Sequence, residues 1–151
     1  MLRDDINNAL KDAMKSGDKR RVSTLRLVNS ALKNADIEAR GQGKSALGDD
    51  ELLPLLQKMI KQRQEAVELY EKGGRAELAE QEREEIEIIA AYLPRQMSEA
   101  EAKAAIADVV KDVGATSVKD MGKVMAALKE RHAGRMDFSK ASAIVKAVLA
   151  G

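Results

Sequence analysis

The sequence contains no cysteine and no tryptophan, and only 2% of its residues are aromatic. The absence of cysteine excludes disulfide bonds, thiolate zinc sites and cysteine nucleophiles. The aromatic residues Tyr70, Tyr92 and Phe138 are widely separated in the sequence. They therefore do not predict a platform on which single-stranded RNA bases would stack. Leucine, isoleucine, valine, methionine and alanine must form the core, and this composition favours helix packing.

The chain also lacks long apolar runs and a large excess of charge of either sign. No stretch approaches the roughly 18 apolar residues of a membrane span. Residues 1–6 carry acids where a signal peptide needs an apolar run. The net charge is +1, so no global field draws the chain to nucleic acid or to an anionic membrane. Together with the lack of cysteine, these absences predict a cytoplasmic protein without membrane contact.

The pattern of apolar residues predicts an all-α fold. Of the 151 residues, 44% are hydrophobic and 34% are charged, which is typical of a folded chain with one or two small domains. Apolar residues recur at spacings of three and four, and no segment alternates at period two. We predict an N-terminal bundle of about four helices over residues 1–95 and a three-helix C-terminal unit over residues 96–151.

Local signals mark the ends of the helices in the N-terminal bundle. Asp18 is a natural N-cap for the second helix, and the glycine-rich segment 41–50 reads as a loop. Pro54 lies in the first turns of the third helix, where it removes a backbone donor. We therefore expect this helix to begin within residues 51–53, or to be kinked. Pro94 is expected to end the fourth helix.

The C-terminal unit has equally clear signals. Ser98 opens a capping box with Glu101 and starts the fifth helix. Ser117 is expected to cap the sixth helix, and either Asp137 or Ser139 the seventh.

Charge is unevenly distributed along the chain. Residues 1–46 carry ten basic and six acidic side chains, whereas residues 47–96 carry seven basic and twelve acidic ones. Residues 117–146 carry seven basic and three acidic side chains. The nearly neutral total therefore hides basic ends around an acidic middle.

No residue pattern predicts a catalytic, metal or cofactor site. The acidic run 77–87 could supply metal ligands, but carboxylate metal sites in helical bundles pair Glu with a nearby His, and the single histidine is His132. His132 could act as a general base, or it could be a surface residue near a helix end that Arg131 and Arg135 keep neutral. The sequence has no nucleophile elbow and no glycine-rich phosphate loop. A solvated acidic helix face and a structural histidine are the simpler interpretations.

Two basic clusters could bind the phosphates of RNA, and both could also be ordinary solvated surface. The first lies at a helix turn and comprises Lys15, Lys19, Arg20, Arg21 and Arg26. The second surrounds two glycines in the C-terminal unit and comprises Lys119, Lys123, Arg131, Arg135 and Lys140.

The two glycines of the second cluster are Gly122 and Gly134. Gly122 lies inside a predicted helix, where glycine costs about 1 kcal/mol relative to alanine. Either tight packing within the bundle or the close approach of a ligand would explain it. The turn at Gly134 and Arg135 could offer backbone donors to such a ligand.

At these residues the chain resembles the YqeY family, small proteins similar to the tail of the GatB subunit of tRNA-dependent amidotransferases. The resemblance covers essentially the full length, although Pro54 and the short loop before it are unusual for the family. It rests on these residues and segments: Leu2 to Arg26, with Asp18-Lys19 and Leu25-Arg26-Leu27; Gly74-Arg75; Glu82 to Ile89; Tyr92-Leu93-Pro94; Met121-Gly122-Lys123-Val124-Met125; Gly134-Arg135; and Asp137.

The resemblance implies two helical units and kinship with a module that helps an amidotransferase hold the body of its tRNA. The catalytic parts of those enzymes have no counterpart in this sequence. We therefore expect a non-catalytic module that binds tRNA or another structured RNA. One alternative is an adaptor that docks a partner helix. Another is an accessory of a carbon–nitrogen ligase that uses glutamine as amide donor. The oligomeric state stays open.

Overall fold

The computed structural model describes all 151 residues as seven α-helices without a β-strand, which confirms the all-α prediction. Two compact units cover Met1–Leu93 and Pro94–Gly151. A short 3₁₀ turn, Val118–Asp120, precedes the sixth helix. The helices are α1 Leu2–Ser16, α2 Lys19–Gly41, α3 Asp49–Lys72, α4 Ala76–Ala90, α5 Glu99–Asp112, α6 Met121–Arg131 and α7 Phe138–Ala150.

The N-terminal unit is built around aliphatic side chains from all four of its helices. The turn between α1 and α2 uses Gly17 in the left-handed conformation and Asp18 as N-cap, whose carboxylate accepts from the Arg21 N–H. Each fully buried leucine or isoleucine contributes about 1.5–3 kcal/mol. The buried residues are Leu2, Ile6, Ala9, Ala13, Leu25, Val28, Leu32, Leu52, Leu56, Met59 and Ile89.

An ion pair joins the start of α1 to the last turns of α2. Both Nη groups of Arg3 contact the carboxylate of Asp36, at 2.5 and 2.6 Å, and one of them also donates to the Leu47 carbonyl oxygen. This side-chain hydrogen bond is the main reason that the pKa of Asp36 lies below its usual range. The loop between α2 and α3 is thereby fixed against both helices.

The third helix begins at Asp49, two residues before the start predicted from Pro54. Gly48 is the N-cap, and its carbonyl oxygen accepts from the N–H groups of Glu51 and Leu52. The first turn is therefore complete before the proline. The Asp49 carboxylate also accepts from the Leu2 N–H at 3.2 Å. The helix therefore begins before Pro54 and runs through it.

The fourth helix ends at Ala90, earlier than the predicted end at Pro94. The N–H groups of Tyr92 and Leu93 donate to the carbonyl oxygens of Ile89 and Ala90, which is the tighter pattern of a 3₁₀ turn. A proline disfavours the helical conformation of the preceding residue and crowds the carbonyl four residues back. Pro94 therefore ends the α-helix at Ala90, four residues before the proline itself.

A partly buried ion pair joins α3 to α4. Arg63 interrupts the apolar stripe of α3, and its Nε lies 3.2 Å from the Glu85 carboxylate. The two side chains are only 14% and 16% exposed. Arg63 also donates to the Met59 carbonyl oxygen at 3.1 Å. The pKa of the neighbouring Glu82 is raised, first by burial and then by Glu85.

The C-terminal unit packs α5, α6 and α7 around a smaller core. Ser98 forms the predicted capping box with Glu101, and Asp137 caps α7 by accepting from the N–H groups of Ser139 and Lys140. Ser117 caps the 3₁₀ turn, so α6 itself begins four residues later. The buried residues are Ile106, Val109, Val124, Leu128, Met136, Ala141 and Val145.

Removing one partner of the ion pair between α3 and α4 is expected to destabilise the N-terminal unit. Glu85→Ala leaves the Arg63 guanidinium largely buried without its carboxylate, and we expect the free energy of unfolding to fall by about 2 kcal/mol. The matched control is Glu84→Ala, one residue away on α4. Glu84 pairs with Arg20 at an exposed position, so its loss should cost less than about 1 kcal/mol. Equal losses in urea denaturation would contradict this account.

Candidate nucleic-acid interface

The basic segment 117–146 forms the 3₁₀ turn, α6 and most of α7. Of the five cations predicted to contact phosphates, Lys119, Lys123, Arg131 and Lys140 are exposed. Arg135 is half-buried. The structure therefore places four of the five where a large polyanion can reach them.

Lys119 and Lys123 lie on either side of Asp120 at the start of α6. The Asp120 carboxylate accepts from the N–H groups of Thr116 at 2.9 Å and Ser117 at 3.3 Å. These backbone hydrogen bonds are the main reason that the pKa of Asp120 is lowered. The acid between the lysines therefore holds the backbone of the turn before α6.

Gly122 is exposed and is the second residue of α6. A Cβ atom added there would meet nothing within 4 Å. The interpretation that Gly122 permits tight packing inside the bundle is therefore wrong, because no neighbouring segment of the chain approaches it. The open side of this glycine faces solvent, next to Lys123.

Arg131, the last residue of α6, already has an acidic partner. Its Nη1 lies 2.7 Å from the carboxylate of Asp112, the last residue of α5. Both side chains are well exposed, so the pair contributes little to stability. A phosphate would have to compete with Asp112 for this guanidinium.

The turn at Gly134 and Arg135 is bound by the segment that precedes α5. Gln96 Nε2 donates to the Gly134 carbonyl oxygen at 2.6 Å, and the Met97 N–H donates to the Arg135 carbonyl oxygen at 2.8 Å. Arg135 Nε donates to the Arg95 carbonyl oxygen at 3.0 Å. These three hydrogen bonds are called the clasp below.

The clasp changes the interpretation of this turn. The Arg135 N–H donates to the His132 carbonyl oxygen at 3.1 Å, so it is not open to a ligand as predicted. Gly134 is buried, with a positive φ of 74°. The close approach that its sequence position suggested is made by Gln96 of the same chain. No short-range motif links residues 95–97 to residues 134–135, so sequence reasoning missed the clasp.

A charged network adjoins the clasp at the start of α5. The Arg95 guanidinium lies 2.6 Å from the Glu101 carboxylate, which also accepts from the Ser98 N–H. The hydrogen bond from Arg95, followed by those from Ser98, lowers the pKa of Glu101 to about 2. The Glu101 carboxylate thus completes the capping box and also binds Arg95, one of the residues of the clasp.

His132 is the C-cap residue of α6 and is half-buried. Burial is the main cause that lowers its pKa, and the charges of Arg135 and Arg131 act in the same direction. The direction of this shift favours the neutral imidazole, as expected, but burial contributes more than the two arginines named in the sequence analysis. No group of three or more His, Asp or Glu side chains is arranged to hold a metal ion.

The N-terminal basic cluster is divided by the structure. Arg20 turns to α4, where its Nε lies 3.2 Å from the Glu84 carboxylate. Lys15 is exposed at the end of α1, and Arg21 is half-buried. Lys19 and Arg26 line an open hollow of about 420 Å³ together with Met14, Gly17, Val22 and Ser23.

The two glycines of the C-terminal unit should respond in opposite ways to alanine. Gly134→Ala places a side chain at a positive φ, and we expect a loss of about 1–2 kcal/mol in the free energy of unfolding. Gly122→Ala adds a methyl group in open space on a helix, and we expect no loss or a gain of up to about 1 kcal/mol. Thermal unfolding of both variants checks this contrast, and a loss for Gly122→Ala would contradict it.

The low pKa of Glu101 predicts acid sensitivity of the C-terminal unit. The carboxylate form is favoured by folding, so its stabilisation is complete above the unfolded pKa near 4.5 and is lost as the pH falls toward 2. Glu101→Gln should remove this part of the pH dependence of the thermal midpoint. Glu99→Gln, two residues earlier on α5, is the matched control and should retain it.

None of the helices combines the length and the apolar character that a membrane crossing requires. The profile of the family described as Yqey-like protein matches residues 3–149. The chain is 35% identical to a Lachancea thermotolerans protein named altered inheritance of mitochondria protein 41, mitochondrial, over 72% of this chain and 58% of that protein. It is 34% identical to an uncharacterized Schizosaccharomyces pombe protein, over 62% of this chain and 72% of that protein.

A Candida glabrata protein with the same mitochondrial name is 33% identical, over 58% of this chain and 47% of that protein. The names of these relatives contradict the predicted cytoplasmic location. That prediction rested on the lack of cysteine and on the acids among residues 1–6, and neither feature distinguishes between reducing compartments. The family profile spans both helical units and includes Lys119, Gly122 and Lys123. The chain belongs to the YqeY-like protein family.

Proposed function

We propose that this protein is a non-catalytic module that binds the sugar-phosphate backbone of tRNA or another structured RNA through the start of α6. The observation that carries the proposal is the open side of Gly122. Gly122 has no packing role within the chain. It lies between Lys119 and Lys123, which can pair with phosphates. A glycine at such a position lets the backbone of a partner come closer than a Cβ atom would allow.

The charge and composition of the segment support a folded nucleic acid over a single strand with unpaired bases. Seven basic and three acidic side chains in residues 117–146 give affinity without base specificity. Phe138 is the single aromatic residue of this segment, so stacking of unpaired bases is not supported. Contact with phosphates and 2′-hydroxyls of a folded RNA needs no aromatic platform.

The predicted cations take different parts in this proposal. Lys119, Lys123 and Lys140 are assigned to phosphates directly. Arg131 would exchange Asp112 for a phosphate. Arg135 would act through its Nη groups, because its Nε is held by the clasp.

Reversal of two charges at the start of α6 tests the site. Lys119→Glu with Lys123→Glu should weaken tRNA binding at least tenfold and lower the slope of log K against log salt by about 2. Lys103→Glu with Lys111→Glu makes the same change on exposed positions of α5 and should have a smaller effect. Equal affinities of the two double variants in a fluorescence-anisotropy titration would refute the assignment.

Gly122→Ala separates binding from folding. It is expected to preserve or raise stability while it weakens RNA binding several-fold, because the added methyl group stands where the RNA backbone approaches. Unchanged affinity in this folded variant would remove the main support for the proposal.

Two other roles are distinguished by simple measurements. Val148 on α7 is 47% exposed, and an apolar side chain at such a position favours an adaptor that docks a partner helix. A partner retained after ribonuclease treatment would support the adaptor. The third role is that of an accessory subunit or weak enzyme of glutamine-dependent amide transfer, and amidation by the purified chain alone would favour it over a non-catalytic module.

A further inference from the structure

The hairpin of α3 and α4 extends beyond the rest of the N-terminal unit. Arg20, the second residue of α2, pairs with Glu84, the ninth residue of α4. At 1.5 Å per residue, the part of α4 before Glu84 reaches roughly 12 Å past this contact. Residues 71–77 are all exposed. Residues 64–87, called the acidic arm below, carry nine acidic and three basic side chains.

The acidic arm presents an exposed apolar side chain. Leu69 of α3 is 70% exposed and has no cover from its own chain. Glu65 lies one helical turn away on the same side, and Glu68 is the preceding residue; both are exposed. An exposed leucine beside two carboxylates is complementary in charge and polarity to a basic surface that also contains apolar side chains.

The hollow at the turn between α1 and α2 has those complementary properties. It is lined by the apolar side chains of Met14, which is 53% exposed, and Val22, together called its apolar floor below, and by the cations Lys19 and Arg26. Residues 11–26 carry six basic and two acidic side chains. The hollow of about 420 Å³ has room for one aliphatic side chain and the carboxylates beside it. The hollow is called the basic hollow below, and its lining residues are Met14, Gly17, Lys19, Val22, Ser23 and Arg26.

We propose that the acidic arm of one molecule docks into the basic hollow of a second copy, with Leu69 on the floor and with Glu65 and Glu68 facing Lys19 and Arg26. Both halves of this contact belong to the N-terminal unit, so every copy carries a complete set. An RNA backbone would use the cations but would leave both Leu69 and the apolar floor uncovered. The complementarity of charge and shape therefore favours a second copy over RNA at this surface.

The contact is small, and its charged groups are exposed. Association is therefore expected to be weak, concentration-dependent and sensitive to salt. A mutual exchange of arms would close a dimer, whereas one-way docking would form an open chain. Either assembly requires the same residue pairs.

Sedimentation equilibrium of the nuclease-treated full chain tests the proposal. In about 50 mM salt, where screening is weak, the average mass should rise with concentration, and in about 1 M salt it should return to the monomer. The hollow variant, Lys19→Glu with Arg26→Glu, and the arm variant, Glu65→Lys with Glu68→Lys, should each associate at least tenfold more weakly. Lys33→Glu with Arg40→Glu is the control, because it makes the same charge change at exposed positions further along α2.

Mixing gives the sharper result. The hollow variant retains an intact arm and the arm variant an intact hollow, so an equimolar mixture should form a 1:1 complex that neither forms alone. Leu69→Ser should weaken association, whereas Ile37→Ser, at a similarly exposed position on α2, should not. A monomer under all conditions, equal loss in the hollow variant and its control, or no complex on mixing would overturn the proposal.

Discussion

The clasp adds polar contacts to the small hydrophobic core of the C-terminal unit. A core of seven residues from three short helices gives limited hydrophobic stabilisation, and units of this size are marginal. The clasp binds the entering chain to the turn between α6 and α7, and Arg95 links it to the cap of α5. The start of α5 and the end of α6 are therefore held together by polar groups as well as by aliphatic contacts.

Local signals allowed much of the fold to be predicted from sequence. The caps at Asp18, Ser98 and Asp137 depend on residues within one turn, and each was visible in the sequence. The start of α3 near Pro54 and the end of α4 near Pro94 were predicted at the wrong residues. Both positions depend on hydrogen bonds that the position of the proline alone does not reveal. The Asp49 carboxylate accepts a hydrogen bond from Leu2, which is far away in the sequence. Before Pro94, the N–H groups of Tyr92 and Leu93 form a 3₁₀ turn in place of a further α-helical turn.

Pairs that are distant in sequence could not be predicted in this way. Arg63 appeared only as an interruption of an apolar stripe, because its partner Glu85 lies on the next helix among many other acids. The same limit applies to the candidate site. The lysines beside Gly122 were found from composition, whereas the engagement of Arg135 by Arg95 follows only from the fold.

The two glycines show why a sequence position alone does not identify a binding site. Gly122 is the second residue of α6 and Gly134 lies in the turn after it, and both suggested a close approach of another group. At Gly134 the approaching group belongs to the chain, and the positive φ makes the glycine a requirement of the fold. At Gly122 no group of the chain approaches, so the fold gains nothing from glycine there. Gly134 is therefore accounted for by the fold, whereas Gly122 is not, and for this reason only Gly122 carries the binding hypothesis.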